Sequence, residues 1–348
     1  MSITLRPSSA ARTVQCPASV PLGALYPNPT GVAAEEGTLA HTVAEAVVLG
    51  KPEPDGATDE MREGAAMWLG VTGTSGHFEK FGMAPQIHPE NGGTPDHWKL
   101  STDTSTLHVN DYKFGHGYVE VFQNWQLINY AAIAEHAIGG LPEWVEFTIV
   151  QPRSFHRDGP VRKWRIPSAK LPVYFDQLRT AFLAALAPNP RAYVGPECKY
   201  CPARHACNEL AKVTYDACDR AGEGLPLDLP PNAVGRELQL IRRELKRMEA
   251  RETGLAQHAE SLIRAGTRVP GFDLEPSLGR ECWSKSDTEI AALGEMMGLT
   301  LTKPALITPK QAVKAGIPAD VVRMYSKTPT GELKLVEDSV RLSAVFSN

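Results

Sequence analysis

The order of helical and extended patterns is the feature that most constrains the fold of this chain. Helical patterns begin at Glu35 and near residue 61, and two alternating segments, "GGTPDHWKL" and "STLHVNDYK", come next, joined by a polar turn. A long apolar helix, "VEVFQNWQLINYAAIAEHAIGG", leads to two further strands, "EWVEFTIVQPR" and "VRKWRIP", and then to the helix "LPVYFDQLRTAFLAAL". Strands interleaved with helices in this order predict a mixed α/β core.

The remaining segments set the expected limits of the domains. Residues 1–34 are rich in Ser, Pro and Gly and are expected to be irregular. The segment "AGEGLPLDLPPNAVG" has the composition of a linker, and a charged helix follows it. We therefore expect a main domain over 1–220, a linker over 221–235, and a helix with a small α+β region over 236–348.

Composition narrows the class of protein. With 42% hydrophobic and 22% charged residues the chain has an ordinary globular composition, and a net charge of −4 requires any nucleic-acid contact to come from a local patch. No apolar run approaches the roughly 18–20 residues that cross a bilayer, and the N-terminus lacks the apolar core of a signal peptide. We expect a reducing cytoplasm, in which the six cysteines have a purpose other than disulfides.

One strand ends in charged residues. Because alternate side chains of a strand share a face, one face of "STLHVNDYK" holds, in order, Leu107, Val109, Asp111 and Lys113. Carboxylates bind Mg²⁺ or Mn²⁺, and a neighbouring lysine can polarise a water or stabilise charge that builds on a phosphate. The alternative is a pair of exposed charges at the end of a strand.

Three further residues are candidates for the same site. His41, on a predicted helix, can complete a metal shell, although it can equally be a buried structural histidine. Gln126 and Tyr130 are four residues apart, so they project from one face of the long helix. An amide and a phenol there can order the lysine or contact a DNA backbone, or they can be ordinary helix surface.

Taken in order, these motifs resemble the signature of the RecB-like branch of the PD-(D/E)xK nuclease superfamily. The matching motifs are GxxxH at Gly37/His41, Pro-Asp at Asp96, D-x-K at Asp111/Lys113 and QxxxY at Gln126/Tyr130. Many relatives have Glu where this chain has Asp111, which bears on the metal geometry. Asp103 competes with Asp96 for the ligand role, and Asp96 is preferred because Asp103 lies in the predicted turn.

The resemblance implies a restriction-endonuclease-like fold and a metal-dependent hydrolysis of phosphodiesters. On it, His41, Asp96, Asp111 and the backbone carbonyl of Tyr112 would bind Mg²⁺ or Mn²⁺. Lys113 would position or activate water. Gln126 and Tyr130 would support the substrate and the lysine.

The cysteines form a second group of candidate ligands. Cys198, Cys201 and Cys207 have C-x2-C-x5-C spacing, which in a cytoplasmic protein indicates a metal site. The residues leave the fourth ligand open: Zn²⁺ would accept His205, or a fourth thiolate from Cys16 or Cys218, whereas a [4Fe–4S] cluster would need four thiolates.

One cysteine before the nuclease motifs and three after them resemble the iron staple of AddB-type helicase-nucleases and CRISPR-associated adaptation exonucleases. This resemblance implies a [4Fe–4S] cluster on Cys16, Cys198, Cys201 and Cys207, with Cys218 and Cys282 as ordinary thiols. The segments "CPAS", "DYKFG" and "CKYCPARHAC" are also similar to a nuclease-like family carried by bacteriophages and prophages.

A hairpin after the long helix is the best candidate for contact with DNA. Residues 151–165 interleave Phe155 and Trp164 with cations, among them Arg153 and Arg157, which suits a single strand or a frayed end. We therefore expect a metal-dependent DNA exonuclease that acts on ends in phage recombination or genome processing, in the host cytoplasm. A helicase or a single-strand-annealing protein is the candidate partner. The alternatives are a weakly catalytic module that binds DNA ends and a zinc-stapled endonuclease.

Overall fold

A computed structural model describes residues 5–26, 31–154, 156, 158–221, 230–278, 282–303, 305–306, 309–327 and 330–337. The chain forms two compact units, Met1–Gly254 and Leu255–Asn348. The boundary between them falls inside a helix. Residues 222–229 of the expected linker lie outside the described residues, so the linker stays a prediction.

The first unit contains seven of the labelled helices and most of an eighth, together with the seven strands that precede residue 254. Its helices are α1 (Ala10–Gln15), α2 (Ser19–Ala24), α3 (Val32–Leu49), α4 (Asp59–Thr72), α5 (Trp125–Ile138), α6 (Leu171–Leu186), α7 (Asn208–Ala221) and α8 (Pro231–Arg264), the last of which continues past the boundary. Its strands are β1 (His77–Phe78), β2 (Gly82–Met83), β3 (Gly92–Gly93), β4 (His97–Leu100), β5 (Thr106–Tyr112), β6 (Trp144–Val150) and β7 (Val161–Pro167). Short 3-10 helices cover Pro7–Ser9, Ser168–Lys170, Pro196–Tyr200 and Pro202–His205.

Five of these strands form the central sheet, in the order β1-β4-β5-β6-β7. β5 and β6 are parallel and the other neighbours are antiparallel. Parallel neighbours need a crossover connection, and α5 supplies it. The fold is therefore α/β, with a mixed sheet flanked by helices, as the resemblance to restriction-endonuclease-like nucleases implies.

A separate core covers each face of the sheet. Leu107 and Val109 of β5 are fully buried in the larger core, which α5 and α6 complete. Tyr112 points to the opposite face and packs with residues of α3 and α4, including Val43 and Trp68. Because strand side chains alternate, Asp111 shares the α5 face with Leu107 and Val109.

The start of α5 is set by a side-chain cap. The Asn124 side chain accepts hydrogen bonds from the backbone N–H groups of Gln126 and Leu127, which begins the helix at Trp125. Gly139, with φ of 80°, ends it. The prediction that this helix begins near residue 119 was therefore early by about one and a half turns.

The prediction of an irregular N-terminal segment is wrong for α1 and α2. Ala10 and Thr13 are fully buried, and α1 packs against α5 and α6. Leu5, also buried, forms a parallel bridge with Asn91. The segment is ordered because its small residues pack closely against two larger helices. Its Ser- and Pro-rich composition gives no sign of this packing.

The second unit is a small α+β body, as expected. Its helices are α9 (Asp287–Met296), α10 (Pro309–Lys314) and α11 (Ala319–Tyr325), and its strands are β8 (Phe272–Leu278), β9 (Cys282–Trp283), β10 (Thr302–Lys303), β11 (Ala305–Leu306), β12 (Ser326–Lys327) and β13 (Thr330–Glu337). Its core contains Ile290, Leu301, Ala312, Ile317 and Val322. Across both units, none of the helices within the described ranges has the length and apolar character that a membrane crossing requires.

Candidate active site

The two acids of the sequence signature meet where β4 begins and β5 ends. Asp96 directly precedes β4. Because β4 pairs antiparallel with β5, Asp96 lies beside the C-terminal end of β5. The backbone N–H of Tyr112 donates to Asp96 Oδ2 at 2.8 Å. Asp96 is 8% exposed and Asp111 is 1% exposed. Asp111 is thus not an exposed charge at a strand end, because its carboxylate is inside the protein.

Lys113 connects this pair of acids to α5. Its Nζ lies 3.1 Å and 3.0 Å from the two carboxylate oxygens of Asp111 and donates to Gln126 Oε1 at 3.2 Å. Gln126 Nε2 in turn donates to the Tyr130 hydroxyl at 2.8 Å. The structure therefore brings four of the predicted site residues into one chain of polar contacts.

His41 of α3 reaches the same site from the other side of Asp96. Its Nδ1 lies 3.8 Å from Asp96 Oδ2 and 3.5 Å from Glu79 Oε1. Sequence reasoning missed Glu79, which follows the two-residue strand β1 and has a positive φ of 44°. No spacing rule identifies it, because its approach to the site depends on how the sheet edge pairs.

The pKa values in the site reflect buried negative charge. Burial raises the pKa of Asp111 to about 6, even though Lys113 opposes the shift. Burial also raises the pKa of Asp96. Burial disfavours protonated His41, yet the carboxylates of Asp96, Glu79 and Asp111 outweigh it and raise the His41 pKa to about 8. Such a site favours an added cation.

The donor set fits a hard divalent cation. His41, Glu79 and Asp96 each have one potential ligand atom, and these three atoms lie within 4.8 Å of one another. Carboxylate oxygens with an imidazole suit Mg²⁺ or Mn²⁺, and the absence of sulfur from the set argues against softer metals. The residues present therefore fit the metal that the sequence motifs imply.

Asp103, the competitor for the ligand role, lies away from this site. Its carboxylate accepts hydrogen bonds from the hydroxyls of Ser101 and Ser105 and from the Ser105 backbone, all within the turn between β4 and β5. The hydrogen bond from Ser101 is the main reason that its pKa falls to about 2. Geometry thus favours Asp96 over Asp103.

In the hairpin expected to contact DNA, several cationic side chains already make ion pairs or hydrogen bonds within the protein. Arg153 makes ion pairs with Glu36 and Glu60, each at 2.7 Å, and lies 3.9 Å from the centre of the Phe114 ring. Its side chain is 10% exposed. Lys163 pairs with Glu146, and Arg162 is buried among backbone carbonyls and Gln151. Phe155 and Arg157 lie outside the described residues, so their role stays a prediction.

Four cysteines predicted to be ligands lie where the N-terminal segment meets residues 191–207. Cys16 follows α1, and its Sγ accepts a hydrogen bond from the backbone N–H of Tyr193 at 3.3 Å. The Cys198 thiol accepts from the Gly195 N–H at 3.4 Å. Burial raises the pKa of Cys198, and the nearby thiols of Cys16 and Cys207 add to the shift. The sequence-predicted sulfurs thus face one another.

No three of the cysteine sulfurs lie within 4.8 Å of one another in the described ranges. Within the described ranges, the sole group of three His, Cys, Asp or Glu ligand atoms within 4.8 Å of one another is the one at His41. Four sulfurs at about 2.3 Å from a zinc ion would lie only about 3.8 Å apart. Cys218 is exposed on α7, and Cys282 belongs to the second unit.

Comparison with known proteins gives a family and a similarity to solved structures. The model of the family described as "Protein of unknown function (DUF2800)" matches residues 3–67 and 78–339. Among curated proteins, none matches the chain. The crystal structure of an alkaline exonuclease from Laribacter hongkongensis is 16% identical, with a TM-score of 0.28, and the match covers 52% of this chain and 86% of that one. The α/β assignment rests on the sheet topology described above.

Proposed function

We propose that the chain, which belongs to the DUF2800 family, is a metal-dependent deoxyribonuclease of the PD-(D/E)xK type. The observation that carries this proposal is the buried pair of Asp96 and Asp111 with Lys113 beside them, at the ends of two neighbouring strands. Buried acids whose pKa values are raised, next to a half-buried lysine, are typical of catalytic sites. His41 adds an imidazole to the set.

Four groups would hold the cation: the side chains of His41, Asp96 and Asp111, and the backbone carbonyl of Tyr112. A divalent cation bound there supplies a Lewis acid for a phosphoryl oxygen and lowers the pKa of a bound water. Asp96 is oriented for this role by the Tyr112 N–H, which fixes one of its carboxylate oxygens.

Lys113 would orient the attacking water and stabilise the charge that builds on the phosphate. Its ammonium stays protonated: burial lowers its pKa, but the carboxylates of Asp111 and Asp96 outweigh this effect and raise it. Gln126 and Tyr130 hold the ammonium in place from α5. The chain thus supplies the positioning and the positive charge that phosphodiester hydrolysis needs.

The substrate proposed is the end of a DNA strand, and the setting is phage recombination or genome processing with a helicase or single-strand-annealing partner. The sequence resemblance to RecB-like nucleases and to a phage-borne family supports this part of the proposal. In the same way, a [4Fe–4S] cluster is proposed on Cys16, Cys198, Cys201 and Cys207. The backbone N–H groups that donate to the sulfurs of Cys16 and Cys198, and the electrostatic effect of Cys16 and Cys207 on Cys198, support a shared site for these thiols.

The test is degradation of end-labelled linear DNA against a closed circle, with Mg²⁺ or Mn²⁺, after purification without air. Wild type should shorten the linear DNA alone, and Lys113→Ala should lose at least about 100-fold in rate while it still binds DNA. Lys163→Ala is the matched control, since Lys163 is an exposed lysine paired with Glu146. If neither wild type nor Lys113→Ala cuts but both hold DNA ends, the chain is a binding module. Cleavage of the circle would favour an endonuclease.

A further inference from the structure

Glu79 lies opposite Asp96 across the edge of the sheet. β1 and β4 pair antiparallel, with Phe78 opposite His97. Continuing this register by one residue places Glu79 opposite Asp96, and the Glu79 N–H donates to the Asp96 carbonyl at 3.2 Å. Edge pairing thus brings a third carboxylate to the site that the sequence motifs do not include.

The Glu79 carboxylate faces the same imidazole as Asp96. Its Oε1 lies 3.5 Å from His41 Nδ1, and the ligand atoms of these three residues lie within 4.8 Å of one another. Ligand atoms at about 2.1 Å from an Mg²⁺ ion would lie about 3.0 Å apart when adjacent and about 4.2 Å apart when opposite, so these three side chains would hold one ion after the group contracts.

We infer that Glu79 is a ligand of the divalent cation, an inference that rests on the proposed metal-dependent function. Glu79 would then join the His41 imidazole, the Tyr112 carbonyl and the carboxylates of Asp96 and Asp111 as a ligand. This makes the residue after β1 part of the metal site.

Local charge supports this assignment. Lys113, the half-buried lysine of the site, contacts Asp111 and Gln126. The carboxylates of Glu79, Asp96 and Asp111 thus face one imidazole and one ammonium, which leaves excess negative charge beside His41 even though the Tyr112 N–H donates to Asp96. A divalent cation neutralises this charge more completely than one imidazole does.

The backbone of Glu79 is consistent with a functional position. Its φ of 44° is in the left-handed region, which disfavours residues that carry a Cβ. Glycine would relax at this position. A glutamate there is a residue held in a strained conformation, as residues at ligand sites often are.

The experiment measures Mn²⁺ binding to the full chain by calorimetry, without DNA. Glu79→Gln should weaken binding by about 10- to 100-fold, which is the usual effect of losing a group from a metal site. Glu45→Gln is the matched control. Glu45 lines the small cavity that His41, Glu79 and Asp96 also line, but its carboxylate pairs with Lys51 at 2.8 Å. Removing the Glu45 charge should therefore leave the Mn²⁺ affinity within about twofold.

Glu79→Gly separates a ligand role from a structural one. It should bind Mn²⁺ as weakly as Glu79→Gln, and its thermal midpoint without metal should not fall below that of wild type, because glycine relaxes the backbone. Wild-type Mn²⁺ affinity in either Glu79 variant would overturn the inference. So would an equal loss of Mn²⁺ affinity in Glu45→Gln, or thermal midpoints of both Glu79 variants that fall below that of wild type.

The same measurement distinguishes this inference from the proposed function. If wild type binds Mn²⁺ and both Glu79 variants bind it weakly, but linear DNA is not cut, the nuclease proposal fails and the ligand assignment stands. If wild type binds no Mn²⁺, the ligand assignment fails whatever the DNA assay gives.

Discussion

Lys113 Nζ donates to Gln126 Oε1 at 3.2 Å, a contact that joins the end of β5 to the first turn of α5. The Asn124 cap fixes where α5 begins, and so it fixes the height of Gln126 above the sheet. A short polar chain from Asp111 to Tyr130 is the result. The position of the proposed catalytic lysine therefore depends on the start of a helix as well as on its own strand.

Replacing Gln126 should lower the turnover rate without unfolding the protein. In Gln126→Ala, Lys113 keeps its ion pair with Asp111 but loses its contact with α5, so we expect kcat on linear DNA to fall about 10- to 100-fold. KM should change little, because the amide positions the lysine rather than the substrate. Steady-state kinetics with a melting curve checks both.

A neighbouring glutamine provides the control for that variant. Gln123 lies just before the cap, is exposed, and donates to the Tyr174 hydroxyl. Its φ is 52°, which asparagine tolerates, so Gln123→Asn should keep the wild-type rate. An unchanged kcat in Gln126→Ala would show that the ion pair with Asp111 alone positions Lys113.

Two glycines of α4 should respond to alanine in opposite directions. A Cβ at Gly64 would overlap the Tyr112 hydroxyl and lie 3.0 Å from Pro152 Cγ, whereas a Cβ at Gly70 would meet nothing within 4 Å. We expect Gly64→Ala to lower the free energy of unfolding by about 1–3 kcal/mol, through overpacking of the core against β5. Gly70→Ala should raise it by about 0.5–1 kcal/mol, through helix propensity.

Chemical denaturation of both variants tests this pair. Similar stabilisation of both would mean that α4 does not pack closely on Tyr112 in solution. Because Tyr112 is next to Asp111 and Lys113, we also expect Gly64→Ala, but not Gly70→Ala, to lower nuclease activity.

The sheet and its flanking helices could be predicted because their signals are local. The alternation in "STLHVNDYK" placed Leu107, Val109 and Asp111 on one face, and all three are buried there. Glu79 could not be predicted, since it meets Asp96 only through the pairing of a two-residue edge strand. In the same way, the partners of Arg153 on α3 and α4 are 117 and 93 residues away in sequence.

Arg153 should be a structural residue rather than a DNA contact. Its guanidinium bridges Glu36 and Glu60 at the end of β6. Because both acids are substantially exposed, the ion pairs are partly screened, and we expect Arg153→Met to lower the free energy of unfolding by only about 1–3 kcal/mol. The KM for DNA should stay unchanged.

Arg165→Met is the comparison, since it removes the same charge from the same hairpin. Arg165 is exposed and lies 4.5 Å from the centre of the Trp144 ring, a contact that contributes about 0.5–1 kcal/mol. If Arg153→Met raises the KM for DNA more than Arg165→Met does while the fold stays intact, Arg153 contacts the substrate as the sequence pattern predicted.

The proposed iron–sulfur site gives the last prediction. Gln15 Oε1 accepts a hydrogen bond from the Glu197 N–H at 2.9 Å, and Arg12 donates one to the Tyr200 carbonyl at 2.7 Å. The N-terminal segment and residues 191–207 are therefore joined by hydrogen bonds that do not involve the sulfurs. We expect Cys16→Ser to lose visible absorption, iron and sulfide while it keeps its helical content.

The thermal midpoint of Cys16→Ser should fall by about 5 °C or more. A bound metal group stabilises only the folded state, in which the ligands of the metal are held together. Cys218→Ser, which removes an exposed thiol of α7, should match wild type. A colourless wild type with bound zinc, equally lost in Cys16→Ser, would replace the cluster by a zinc site. Equal metal content in both variants would exclude Cys16 as a ligand.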